Sequence, residues 1–92
     1  MGRGKKIDTN HVEIREGMRR VGIPVFDIHT LPGALDLMAQ TRTGRLVLLE
    51  VKSGVNEPLT SKEAETFNLF AGNCYRVMTI QQAIDICRDE ED

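Results

Sequence analysis

The chain has 92 residues, of which 40% are hydrophobic and 28% charged, and a formal net charge of −2. That describes one globular domain, residues 1–92, with a modest core. No apolar run approaches the roughly 18 residues that a membrane span needs, and the weakly acidic total is not that of an obvious polyanion binder.

The N-terminal stretch MGRGKKIDTN (1–8 basic and flexible, then a helix start) is followed by no apolar signal segment, so a cytoplasmic protein is expected. Asn10 and Glu13 make a near variant of a capping box, and Thr60/Glu63 and Thr79/Gln82 match the box itself. The first helix is predicted over Asn10–Val21, with Ile14, Met18 and Val21 on its apolar stripe and Gly22 as its stop. Arg15, Arg19 and Arg20 on this helix, with Arg3, Lys5 and Lys6 before it, offset the acidic tail 89–92, so the charge pattern permits a polyanion partner without requiring one.

Short strands follow at Pro24–Ile28, Ala34–Gln40 and Arg45–Lys52. The second helix is expected over Ser61–Ala71, with Ala64, Phe67, Phe70 and Ala71 inward and Gly72 at its end. A last strand, Cys74–Met78, precedes a helix from Ile80 to Arg88 whose Ile80, Ala83, Ile84 and Cys87 show the i, i+3, i+4, i+7 spacing. The order α, β, β, β, α, β, α predicts an α/β (α+β) domain, a small mixed β-sheet with flanking helices. Cys74 and Cys87 read as reduced structural residues, one on a strand and one on a helix. His11 and His29 are isolated in sequence without zinc spacing and read as surface or helix-end residues.

The segment LVLLEVKSG runs four apolar residues into Glu50 and Lys52. Strand alternation puts Leu46, Leu48, Glu50 and Lys52 on one face and Val47, Leu49 and Val51 on the other, which should lie under a helix. A three-residue loop with Gly44 in the left-handed position pairs Thr41 with Arg45 and so sets Asp36 opposite Glu50. Facing carboxylates about 5 Å apart repel by about 3 kcal/mol at an effective dielectric of about 20. A retained proton or a divalent cation relieves this, and two hard oxygen ligands suit Mg²⁺ or Mn²⁺. With Lys52 pointing into the same space, the set has the chemistry of phosphodiester hydrolysis. A charged strand end remains the alternative reading.

The segments LPGALDL, LLEVKSG and PLTSKEAETF, with the closing YRVMTIQQAIDI, resemble the PD-(D/E)XK nuclease superfamily, and most closely the small stand-alone VRR-NUC proteins of phages and bacteria. The resemblance implies a restriction-endonuclease-like αβββαβ core plus a C-terminal helix. It implies Asp36, Glu50 and Lys52 as the catalytic trio, and Asp36, Glu50 and the main-chain carbonyl of Val51 as ligands of Mg²⁺ or Mn²⁺. Glu13 stands where the first helix of many members supplies an acid near the metal, and capping is its other role. Glu63 stands where many members carry a glutamine beside the active site, and Leu35 replaces the motif's proline. Gly33, Lys62 and Arg42 are candidate DNA contacts. The resemblance further implies a homodimer acting on branched DNA such as Holliday junctions. The alternative is a non-catalytic homodimeric module that binds nucleic acid or protein.

Overall fold

A computed structural model describes residues 9–31, 35–54 and 56–88. The basic stretch 1–8, Gly33 and the acidic tail 89–92 lie outside the described residues. The elements are α1 (Thr9–Arg20), β1 (Val25–Asp27), β2 (Leu37–Gln40), β3 (Leu46–Val51), α2 (Ser61–Leu69), β4 (Cys74–Val77) and α3 (Ile80–Arg88). This is an α+β fold in the expected order. The sheet runs β1-β2-β3-β4, antiparallel except for β3 and β4, which are parallel because α2 carries the chain back between them.

Local chemistry explains most of the boundaries. α1 ends in a Schellman turn: the Ile23 N–H donates to the Met18 carbonyl at 3.0 Å and the Gly22 N–H to that of Arg19 at 3.0 Å, with Gly22 at φ 87°. The chain has therefore left the helix at Val21, which is 40% exposed instead of completing the apolar stripe. Ile14 and Met18 are fully buried as expected. Asn10 does not cap α1. It lies inside the helix, and its amide donates to the carbonyls of Lys52 (3.0 Å) and Met78 (3.3 Å), tying α1 to the ends of β3 and β4. The two true boxes form. Thr60 Oγ1 accepts from the Glu63 N–H and Glu63 Oε1 from the Thr60 N–H, and Thr79 and Gln82 exchange the same pair of bonds. α2 stops at Leu69, with Phe70 as C-cap, so Phe70 and Ala71 are exposed where the sequence pattern had placed them inside.

The hairpin has the expected register. Leu37 pairs with Leu49 and Gln40 with Leu46, Thr41 N–H donates to the Arg45 carbonyl at 2.8 Å, and Gly44 takes φ 94°. Val47, Leu49 and Val51 face α1 and α3, forming one core with Ile14, Met18, Leu37, Val77, Ala83 and Cys87. α2 lies over the other face near β4, where Cys74 Sγ donates to the Thr66 carbonyl at 3.7 Å. That leaves Phe26 and Leu46 exposed on the uncovered half of this face. Cys74 and Cys87 are both free thiols. No described helix is long and apolar enough to cross a membrane.

α1 and α3 meet at Gly17, where a Cβ would sit 2.6 Å from Ile80 Cγ2. Gly→Ala inside a helix ordinarily gains up to about 1 kcal/mol. Here overpacking, typically 1–3 kcal/mol, opposes it. Gly17→Ala is expected to lower the melting temperature, and the same change in an Ile80→Ala background to be neutral or stabilising. Denaturant melts of the four proteins in this cycle read the coupling, and additive effects would reject the close approach.

Candidate active site at one end of the sheet

Among the described residues, one end of the sheet gathers the buried polar side chains other than Thr41, which sits at the hairpin turn. Asp27 closes β1, Asp36 precedes β2, Glu50 lies one residue from the end of β3 and Lys52 directly after it, Asn10 and His11 lie in the first turn of α1, and Glu63 lies in the first turn of α2. Asp36, Glu50, Lys52 and Glu63 are all at least nine-tenths buried, as is His11. Charged groups are rarely buried without a partner, so the partners define the site.

The regular ladder stops at Leu37, and Asp36 departs from it by one residue: its N–H donates to the Leu49 carbonyl at 3.0 Å. The side chain then turns along the end of β3, where Oδ2 accepts from the Val51 N–H at 2.8 Å. Oδ1 faces Nδ1 of His11 at 4.0 Å. Lys52 Nζ lies 3.1 Å from Glu63 Oε1 and 3.4 Å from Glu50 Oε2, so one ammonium joins a strand acid to a helix acid. Glu63 Oε1 also caps its own helix, and the capping geometry thereby sets where the Lys52 head sits.

Two carboxyl groups, those of Glu50 and Glu63, thus share one ammonium, and their charge states separate. Burial, followed by the adjoining Glu63 and Asp36 carboxylates, pushes Glu50 up to about 8, with Lys52 opposing only in part. Burial also acts against charge on Glu63, but the Thr60 N–H, Glu50 and Lys52 outweigh it and hold Glu63 below the ordinary carboxylate range. Burial would lower Lys52, yet its bond to Glu63 and the charges of Glu50 and Glu63 raise it overall. Oε1 of Glu50 is buried with no hydrogen-bond partner. Its neighbours on this side are carboxyl groups, which supply a donor only when one of them holds a proton.

The fold therefore brings Asp36, Glu50, Lys52 and Glu63 together, with Val51 between them as a backbone donor to Asp36. Glu13 is exposed on α1, whereas His11 of that helix is buried with its Nδ1 4.0 Å from Asp36 Oδ1. Lys62 is exposed at the start of α2. Arg42 lies at the opposite end of the hairpin, its N–H bonded to the Cys87 carbonyl and its Nε to that of Arg88. His11 is a helix-end residue as expected, but it is not on the surface. It is 2% exposed, its Nε2 lies 2.6 Å from Asp27 Oδ1, and its ring meets that of His29 edge-on at 5.3 Å. No sequence spacing joins His11, Asp27 and His29; the only hint was that His11 follows Asn10 at the start of an amphipathic helix. Comparison of the chain with family models, with curated proteins and with solved structures finds no match.

Because the native state holds a proton at Glu50 that the unfolded chain releases above its ordinary value of 4.5, folding stability should fall as pH rises from about 4.5 to about 8. Asp27 and Glu63, held below the ordinary range, act in the opposite sense and lose their contribution only under more acid conditions. Melts of chelator-treated protein across this interval should show the decline, and Glu50→Gln should flatten it. Parallel curves for the two proteins would contradict the assignment.

Proposed function

We propose that the chain is a metal-dependent endodeoxyribonuclease that hydrolyses phosphodiester bonds, with branched DNA such as a four-way junction as its substrate class. The observation that carries this reading is the convergence of Asp36, Glu50 and Lys52 at one buried sheet end, where Glu50 Oε1 has no partner. The donor set fits a hard divalent ion: carboxylate oxygens outnumber the single ammonium, and an ion would satisfy the orphaned oxygen. Asp36 and Glu50 would hold Mg²⁺ or Mn²⁺, with the Val51 carbonyl as the ligand that the family resemblance adds. Such an ion, when bound, supplies Lewis-acid polarisation of a phosphoryl oxygen and a more acidic water.

The chain's own groups have separable tasks. The Val51 N–H fixes the rotamer of Asp36 and so aims Oδ1 away from the strand. Glu63 holds Lys52 Nζ beside Glu50. From there the ammonium can orient a water by donation and offset charge gathering on the phosphate in the transition state. Lys62 and Arg20, both exposed, supply outlying positive charge for a polyanion, while Arg15 and Arg19 are paired with Glu16 and Asp27. A homodimer belongs to the same reading, with the open half-face around Phe26 and Leu46 available to a second copy.

Linear, flap and four-way-junction DNA incubated with the protein and Mn²⁺ should be cut, the junction most readily. Asp36→Asn, Glu50→Gln and Lys52→Ala should each reduce cleavage by at least about a hundredfold, the usual scale for losing a key electrostatic group. Mg²⁺ or Mn²⁺ should also raise the wild-type melting temperature by linkage. Wild-type cleavage by Asp36→Asn would reject the mechanism. Salt-dependent DNA retention without metal-dependent cleavage would assign the chain to the non-catalytic binding class.

A further inference from the structure

The group formed by His11, Asp27 and His29 lies beside the carboxylate site and adjoins it where His11 Nδ1 faces Asp36 Oδ1 at 4.0 Å. It joins three separate elements: the first turn of α1, the end of β1 and the turn that follows β1. One ligand atom from each residue lies within 4.8 Å of the others. In a tetrahedral zinc site with bonds of about 2.0–2.1 Å, ligand atoms are roughly 3.3 Å apart. Small side-chain rotations would close the difference.

Two features distinguish this group from an ordinary hydrogen-bonded core histidine. The bond between His11 and Asp27 satisfies those two residues, but it leaves Nδ1 of His29 buried with no hydrogen-bond partner. The Asp27 carboxylate is also oriented from behind, because its Oδ2 accepts from Arg15 Nη1 at 2.6 Å while Oδ1 faces the histidines. Ligating carboxylates and imidazoles characteristically have such outer partners. His11 Nδ1 lies 4.0 Å from Asp36 Oδ1, too far for a hydrogen bond as it stands, so a small ring rotation would be needed to place its proton there and leave Nε2 as the ligand.

We propose that His11, Asp27 and His29 form a binding site for Zn²⁺ or a similar first-row transition ion, separate from the hard-ion site of Asp36 and Glu50. Two imidazoles and one carboxylate are borderline donors that favour Zn²⁺ over Mg²⁺, and three protein ligands leave a position for water. The site does not depend on the nuclease reading. It would tie α1 to β1 whether or not DNA is cut.

The test uses the full chain, freed of metal with chelator and held in excess Mg²⁺, titrated with Co²⁺ as a spectroscopic probe. Visible d–d absorption should saturate at one equivalent and be displaced by Zn²⁺. His29→Ala should weaken binding by more than about tenfold, and Glu50→Gln should leave it unchanged, with circular dichroism confirming that both variants are folded. In the wild type, Zn²⁺ should shift the ring ¹⁵N resonances of both His11 and His29, a readout that needs no variant. Unchanged ring resonances at millimolar Zn²⁺ would overturn the proposal. So would absorption that survives His29→Ala, or that is lost in Glu50→Gln; the last outcome would leave the nuclease reading intact.

Discussion

Lys52 joins Glu50 at the end of β3 to Glu63 at the start of α2, and the polar end of the sheet is organised around that contact. An interior of this size tolerates few charges, because moving an ion out of water costs several kcal/mol unless partners return it. The ammonium compensates Glu63 well. It compensates Glu50 poorly, since burial and then the Glu63 and Asp36 carboxylates act against its charge. The protein thus maintains one acid that its own contacts leave incompletely satisfied, which is the condition under which a proton or a cation is taken up.

The surrounding fold makes this imbalance stable. The Val51 N–H fixes Asp36, the capping box of α2 fixes Glu63, and the Asn10 amide anchors α1 across the ends of β3 and β4. Each joins a side chain to the backbone, so Asp36 and Glu63 are held on either side of the strand end where Glu50 is buried. Below them, the apolar core between the sheet and α1/α3 keeps the strand ends in register. The histidine pair then extends the polar cluster from Asp36 toward β1. Hence the sheet end presents two donor sets of different chemistry, oxygen-rich beside β3 and nitrogen-containing beside β1.

Much of this was legible before the fold was known. The Thr41 to Gly44 turn implied the hairpin register that pairs Leu37 with Leu49, but Asp36 leaves that ladder before it would pair with Glu50 and reaches the end of β3 by its side chain, which accepts from the Val51 N–H. The capping boxes at Thr60 and Thr79 located α2 and α3, and the spacing of Ile80, Ala83, Ile84 and Cys87 identified the buried stripe of α3. Errors came where a local signal had a competing tertiary use. Asn10 looks like a cap, but its amide bonds Lys52 and Met78. Val21 and Phe70 fit apolar stripes that the helices end too early to complete.

The sequence alone determined the succession of elements, the pairing of β2 with β3 and the face on which Glu50 and Lys52 lie. These follow from short-range rules: turn geometry, side-chain alternation and capping act over a few residues. Only the tertiary structure decided that His11 is buried beside Asp36 while Glu13 is exposed, that Glu63 holds Lys52, and that His29 meets Asp27 and His11. Those contacts depend on where whole elements pack against one another. The angle of a helix on a sheet is set by the summed shape of many apolar side chains, a quantity that no local pattern encodes.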